Sequence, residues 1–213
     1  MIKRLSALVT FALLLLTSPG TALAASEHVV LAGGCFWGMQ AVFESLRGVQ
    51  HVTAGFSGGA AATAHYEIVS TGMTGHAESV DVVYDPAKIS FKQLLDVYFL
   101  VAHDPTELNY QGPDHGTQYR SEIFYTTAAQ QAEAKAYIAQ LEKRHVYHGP
   151  IVTQLAPLHG FYAAESYHQD YLVHNPDSDY IVYNDIPKLQ ALKARFPALV
   201  NSQAAPIKVL ARR

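Results

Sequence analysis

Apolar and polar residues alternate along this chain with two different periods, and the two kinds of segment follow one another. Period-two alternation or short apolar runs, typical of strands, occur in residues 28–32, 49–56, 76–84, 122–126 and 151–155. Helical patterns occur in residues 35–46, 90–98, 128–144 and 186–196. Strands interleaved with helices predict one α/β domain with a mixed sheet that is covered mainly on one face.

Start and stop signals mark the boundaries of these segments. Gly48 follows the first helical pattern, and Ser90 and Thr127 each precede a helix with a glutamine three residues later, the capping-box spacing. Residues 103–119 form a long polar stretch with two prolines and two glycines, and a loop of this length is usually functional. The tail beyond Asn201 is expected to be loose.

The stretch Gly33-Gly34-Cys35-Phe36-Trp37-Gly38 lies where the first strand changes to the first helix, and it holds the only cysteine and the only tryptophan. A strand that enters a helix through two glycines leaves Cys35 on the first helical turn. Free amide N–H groups and the helix dipole stabilise a thiolate there. The alternative is a buried, inert cysteine that packs as a small apolar residue.

The first 24 residues have the pattern of an export signal. Lys3 and Arg4 precede an apolar run over residues 5–16, and the small residues at 22–24 fit a cleavage site. The apolar run is short for spanning a bilayer. We therefore expect residues 1–24 to be a signal peptide and residues 25–213 to be one domain in the periplasm or outside the cell, with no membrane association after removal of the signal.

Charge and cysteine count narrow the class of protein further. The formal net charge of the 213-residue chain is −3, and the sequence contains no basic cluster, so no nucleic-acid partner is indicated. A single cysteine cannot form a disulfide within the chain. An unpaired thiol in an oxidising compartment is a liability unless it has a function, which favours a reactive Cys35.

Other side chains are candidates for chemistry around this thiol. Glu78 has the same strand parity as Val80 and Val82, so it is expected to face the core, the alternative being a frayed strand end. Phe36 and Trp37 form an apolar wall that suits a methyl group, although core packing explains them equally well. Tyr66 and Tyr119 lie in glycine-containing loops or at their edges, so their phenol groups are candidates for a site.

Two further readings remain open at this point. In the first, the protein is a Cys–His hydrolase with Cys35 as nucleophile and His168 or His115 as base, although the local protease signatures are absent. The other is a small binding domain with a buried cysteine. A metal site on His145 and His148 is not expected, because no third ligand lies near them in sequence.

Four ordered signatures resemble those of the peptide methionine sulfoxide reductase A family, in its single-cysteine, exported form. Together they cover most of residues 28–196. They are Gly34-Cys35-Phe36-Trp37-Gly38, Gly75-His76-Ala77-Glu78, Gly116-Thr117-Gln118-Tyr119-Arg120-Ser121 and Tyr167-His168-Gln169-Asp170-Tyr171-Leu172. The fold that we expect is a single α+β domain with a ferredoxin-like, two-layer mixed sheet and a long irregular C-terminal part.

The resemblance implies a role for each candidate residue. Cys35 attacks the sulfur of methionine-S-sulfoxide, and protonated Glu78 acts as general acid, with Tyr66 and Tyr119 beside the oxygen. The substrate-binding residues that it implies are Phe36, Trp37, Asp114 and His168. The products are methionine and a Cys35 sulfenic acid, and no metal or bound cofactor is expected.

The chain departs from many family members in having no C-terminal resolving cysteine. The sulfenic acid on Cys35 must therefore meet an external thiol directly, whether thioredoxin-like, glutaredoxin-like or a small thiol. The other expected partners are free methionine sulfoxide and oxidised exported proteins, and the protein itself is expected to be a monomer.

Overall fold

The computed structural model describes residues 26–212, which are built around a six-stranded sheet. The strands of this sheet are β1 (Glu27–Ala32), β2 (Val49–Ser57), β3 (Ala77–Tyr84), β6 (Glu122–Tyr125), β7 (Gln154–Pro157) and β8 (Phe161–Ala163). The short strands β4 (Tyr110–Gln111) and β5 (Asp114–His115) pair as a separate hairpin inside the predicted long loop.

The strand order is β7-β6-β1-β3-β2-β8. The four central strands pair antiparallel, and their order β6-β1-β3-β2 is that of the ferredoxin-like split βαβ arrangement. β7 extends this core in parallel to β6, and β8 extends it antiparallel to β2. The predicted fold class, a single α/β domain with a mixed sheet, is confirmed.

Seven helices surround the sheet in the described part of the chain. They are α1 (Phe36–Glu44), α2 (Tyr66–Val69), α3 (Phe91–Val97), α4 (Ala128–Lys143), α5 (Tyr171–His174), α6 (Ile186–Arg195) and α7 (Ala205–Ala211). Single π turns continue α3 through Tyr98–Ala102 and precede α6 through Ile181–Asp185. The capping box predicted at Ser90 forms in both directions, because Ser90 accepts from the Gln93 amide and Gln93 accepts from the Ser90 amide.

The sheet has unequal cores on its two faces. Alternate residues of β1, such as Val29 and Leu31, join the large core beneath α1 and α3, whereas Val30 and Ala32 join a small cluster on the opposite face. α1 packs on β2 and β3 and contacts α6. The Cys35 turn therefore enters the better-covered face.

Two predicted segments differ from the structure. The strand predicted at residues 151–155 begins only at Gln154, where its ladder with β6 starts. The Val152 amide instead donates to Pro105 O at 2.8 Å, and the Thr153 hydroxyl pairs with Ser121 at 2.8 Å, so loop contacts satisfy these polar groups.

The C-terminal tail is a helix rather than a loose segment. Pro206 lies in the first turn of α7, a position that suits its fixed φ. The helix buries Ile207 and Val209 against α1, α5 and α6. Burial of these two side chains offsets the entropy of ordering the tail.

Residues 1–24, in which we predict the export signal, lie outside the described residues. Within residues 26–212, no helix combines the length and apolarity that crossing a membrane requires. The same residues contain no group of three or more histidine, cysteine, aspartate or glutamate side chains that could hold a metal ion.

Candidate active site

Cys35 lies at the junction of β1 and α1, as predicted, but as the N-cap residue rather than within the first turn. The turn is tight, and Gly34 adopts a φ of +93° in it. A Cβ at position 34 would lie 2.7 Å from Gln111 Cβ. A side chain there is therefore excluded by both strain and contact. The thiol is buried, with 7% of the residue exposed.

Glu78 lies directly beside this turn. The backbone amide of Phe36 donates to Glu78 Oε2 at 3.1 Å, and only 2% of Glu78 is exposed. Burial raises the pKa of the Glu78 carboxyl to about 8, against a lowering contribution from the Phe36 amide and a further rise from Asp114. The strand parity thus correctly predicted that Glu78 faces inward, and at neutral pH this carboxyl carries a proton.

The pKa of Cys35 is raised, whereas its place at the start of a helix predicted a lowered one. Burial raises it well above the ordinary thiol value, and Glu78 and Asp185 raise it further when they are ionised. The Trp37 amide and the Lys188 ammonium lower it, but less. Desolvation outweighs the helix terminus, so the resting residue is a thiol.

The two predicted phenols both lie within electrostatic range of Glu78. Burial raises the pKa of Tyr66 and of Tyr119, and for both the charge of Glu78 is the next cause. Tyr66 opens α2, and Tyr119 ends a 3₁₀ turn at Thr117–Tyr119. Both phenols are neutral donors at physiological pH, and together with Glu78 they can bind an oxygen atom.

The two residues after Cys35 belong to a cluster of aromatic side chains. Phe36 is fully buried, 6.5 Å between ring centroids from Trp37 and 5.1 Å from His168. Trp37 stacks on Tyr171 at 3.7 Å and donates through Nε1 to His168 Nδ1 at 3.2 Å. Burial lowers the pKa of His168, so His168 is a neutral acceptor. These side chains form an apolar wall next to a thiol.

Asp114 comes from the β4–β5 hairpin and accepts a hydrogen bond from the Tyr180 hydroxyl. Burial raises the pKa of Asp114, against lowering contributions from Tyr180 and Lys188. A cavity of about 160 Å³ reaches Cys35 between these elements, and Tyr183, which is 76% exposed, lies at its edge. The hairpin therefore forms one wall of the entrance to the thiol.

Three residues near Cys35 were missed by sequence reasoning: Tyr180, Asp185 and Lys188. Asp185 is 1% exposed and pairs with Lys188 at 3.2 Å. A Cβ on Gly38 would lie 2.7 Å from Asp185 Cγ, so the glycine allows this close approach. Asp185 directly precedes the helix predicted at residues 186–196, and its side chain does not cap that helix. No local sequence pattern marked it as a site residue.

The histidines of the rival readings do not support them. His168 Nδ1 is bonded to Trp37 rather than to the thiol, and His115 is exposed and stacked on Tyr110. His145 and His148 are exposed at the end of α4. The geometry instead combines a buried thiol, a protonated carboxyl, two phenols and an apolar wall, which fits transfer of oxygen from a small substrate to sulfur.

The model of the protein family described as "Peptide methionine sulfoxide reductase" matches residues 27–199. The chain belongs to the peptide methionine sulfoxide reductase family. It is therefore a peptide methionine sulfoxide reductase A enzyme, an oxidoreductase. It is 54% identical over 185 residues to peptide methionine sulfoxide reductase MsrA 2 of Mesorhizobium japonicum, covering 87% of this chain and 94% of the relative. It is 46% identical over 177 residues to the MsrA of Deinococcus radiodurans, covering 83% and 84%.

Solved structures agree with this assignment of the reductase. Reduced Mxr1 of Saccharomyces cerevisiae superimposes with a TM-score of 0.68 at 34% identity, covering 73% of this chain and 88% of Mxr1. Methionine sulfoxide reductase A of Corynebacterium diphtheriae superimposes with a TM-score of 0.63 at 34% identity, covering 75% and 77%.

Proposed function

We propose that this reductase converts methionine-S-sulfoxide, free or within proteins, to methionine by attack of Cys35 on the sulfoxide sulfur. The observation that carries the proposal is Glu78, a buried carboxyl with a pKa of about 8 that is bonded to the backbone beside Cys35. It supplies a proton at neutral pH to an oxygen that must leave sulfur.

One proton moves from sulfur to oxygen during this step. Glu78 donates its proton to the sulfoxide oxygen, and the resulting carboxylate accepts the thiol proton of Cys35. Attack on the sulfoxide sulfur forms an S–S bond and leaves a hydroxyl on that sulfur, and a second proton from Glu78 releases the hydroxyl as water. Water then attacks Cys35 Sγ, which breaks the S–S bond and returns a proton to Glu78, so methionine is reduced while Cys35 is oxidised to the sulfenic acid. The raised pKa values of both groups support a resting state with thiol and carboxyl protonated.

The two sides of the site select one sulfoxide epimer. Phe36 and Trp37 receive the methyl group, and Tyr66, Glu78 and Tyr119 receive the oxygen. His168 and Asp114 orient the rest of the substrate from the aromatic group and from the hairpin. Because methyl, oxygen and side chain have separate places around a chiral sulfur, the mirror-image sulfoxide puts either its oxygen on the apolar wall or its methyl on the acid.

Recycling requires an external thiol, because Cys35 is the only cysteine. A thiol attacks the sulfenic acid to give a mixed disulfide and water, and a second thiol then releases Cys35. The donor is a thioredoxin-like, glutaredoxin-like or small thiol. With an export signal over residues 1–24, the substrates are oxidised proteins of the periplasm or the cell exterior.

Steady-state reduction of the two separated sulfoxide epimers with dithiothreitol tests the proposal. We expect turnover of the S epimer by the wild-type protein and none by Cys35→Ser. Mass analysis after one equivalent of substrate, without thiol, should show Cys35 heavier by one oxygen. A Cys35–Cys35 dimer as the main product contradicts the external-thiol route, and equal use of both epimers contradicts the assigned subsites.

A further inference from the structure

Arg120 joins two loop segments that approach the site from different parts of the chain. Its Nη1 donates to Thr117 O at 2.9 Å, and its Nη2 donates to Gly75 O at 3.0 Å. Nε donates to the Glu122 carboxylate at 2.7 Å, with 12% and 6% of the two side chains exposed. All three contacts use different guanidinium nitrogens, which fixes the plane of the group.

We call Tyr66, Glu78 and Tyr119, which are proposed to receive the sulfoxide oxygen, the oxygen side of the site. Each carbonyl that Arg120 binds lies a few residues before one of them. Gly75 is three residues before Glu78, and Thr117 is two residues before Tyr119. Because both carbonyls bind one rigid planar group, Arg120 constrains their separation, alongside the bond from the Thr117 hydroxyl to Gly72 O at 2.8 Å. Arg120 thus ties the segment that leads to the acid to the segment that carries one phenol.

The surrounding chain leaves room for this bridge. Gly58 has a φ of +96°, and a Cβ there would lie 2.6 Å from Arg120 Nη2 and 3.0 Å from Gly75 O. The guanidinium therefore fits against Gly75 only because residue 58 has no side chain.

Arg120 does not reach the substrate from its position. It lines a cavity of about 210 Å³ with Glu122 and Phe124, and Phe124 belongs to the small cluster on the face opposite the main core. Cys35 belongs to the main core. Any effect of Arg120 on the reaction must therefore pass through the backbone of the two segments.

We propose that Arg120 is a positioning residue that holds the segments of Glu78 and Tyr119 in place relative to each other, through its bonds to the Gly75 and Thr117 carbonyls. The inference rests on the proposed function of Glu78 as general acid. Its Glu122 ion pair serves stability and is separable from this role.

Two matched variants divide the guanidinium contacts. Arg120→Lys keeps a positive charge beside Glu122 but cannot bind both carbonyls, whereas Glu122→Gln keeps the carbonyl bonds and removes the ion pair. We expect Arg120→Lys to lower kcat about 10-fold to 100-fold with KM changed less than about 2-fold, since small misplacements of catalytic groups have effects of this size. Glu122→Gln should keep kcat within about 2-fold while losing at least as much thermal stability.

The pKa of Glu78 gives a second readout that does not need turnover. Infrared titration of the Glu78 carboxyl, assigned by its loss in Glu78→Gln, should show the pKa falling from about 8 toward the ordinary value in Arg120→Lys. Burial is the largest cause of the raised pKa, and loosening the two segments lets water reach the carboxyl. We expect no shift in Glu122→Gln. An unchanged Glu78 pKa in Arg120→Lys, or equal shifts in both variants, overturns the positioning role even if the protein reduces no sulfoxide. Absence of wild-type turnover with the expected titration overturns only the proposed function.

Discussion

The sulfur side and the oxygen side of this site are assembled in different ways. Cys35, Phe36 and Trp37 are consecutive, and one tight turn followed by one helix places all three. Tyr66, Glu78 and Tyr119 come from a short helix, a strand end and a 3₁₀ turn. Long-range contacts such as the bond between the Phe36 amide and Glu78 must hold them together.

The thiol of Cys35 and the groups that would transfer protons to and from the substrate therefore come from separate parts of the chain. The local turn presents the thiol, but it does not activate it, because burial and nearby carboxylates raise the pKa of Cys35. In the proposed mechanism, the proton transfers depend on the assembled residues Tyr66, Glu78 and Tyr119. Changes on the sulfur side should therefore remove the reaction outright, whereas changes on the oxygen side should reduce it in graded steps.

Cys35→Ser should have the largest effect. Removal of the nucleophile is expected to lower kcat by at least about 1,000-fold, because no other thiol exists in the chain to accept the oxygen. Single-turnover reduction of the S epimer measures it. Retained reduction in Cys35→Ser would overturn the mechanism, and unchanged unfolding in urea serves as the control for folding.

Glu78→Gln should have the next largest effect. Loss of the acid is expected to lower kcat about 100-fold at pH 7 without abolishing it, because the two phenols remain. The wild-type rate should fall above pH 8, where Glu78 loses its proton at its pKa of about 8, and the variant rate should not. An equal alkaline fall in both proteins assigns that titration to another group.

The same carboxyl predicts a stability change of defined sign. The pKa of Glu78 is higher in the folded protein than its ordinary value of 4.5. The free energy of unfolding should therefore be largest at low pH and fall as pH rises toward 8, by a few kcal/mol relative to Glu78→Gln. Urea titrations of both proteins between pH 5 and pH 8.5 measure this difference.

Tyr66→Phe and Tyr119→Phe test whether the oxygen side is shared. Each variant keeps the ring and loses one donor, which should lower kcat about 5-fold to 10-fold. The double variant should lose more than the product of the two, since no phenol then supports the oxygen. Steady-state rates at saturating substrate measure this, and a double variant as fast as the wild type would leave Glu78 as the only donor.

The same contrast explains what the sequence could predict. Local signals were sufficient for the Cys35 turn, for the inward parity of Glu78 and for the Ser90 cap. Each depends on residues within a few positions of one another. The strand predicted at residue 151 was wrong because bonds to Pro105 and Ser121 replace the expected ladder.

The C-terminal contribution to the site could not be read in this way. Asp185 and Lys188 lie about 150 positions from Cys35 in the sequence, at the start of a helix whose pattern is that of an ordinary amphipathic surface helix. Burial under α1 changes their role, and burial depends on packing of the whole chain. The resemblance to a known family supplied the oxygen-side residues that spacing alone left open.

Gly38→Ala tests whether the sulfur side also depends on distant contacts. Alanine normally stabilises a helix relative to glycine, but here its Cβ would lie 2.7 Å from Asp185 Cγ and 2.9 Å from Lys188 Nζ. We expect a net loss of about 1–3 kcal/mol in unfolding free energy, because a buried ion pair must move. Gly149→Ala is the matched control, since its nearest contact is 3.4 Å and the expected change is within about 0.5 kcal/mol. Urea unfolding measures both, and a Gly38→Ala protein as stable as the wild type would show that the sulfur side stands without its C-terminal neighbours.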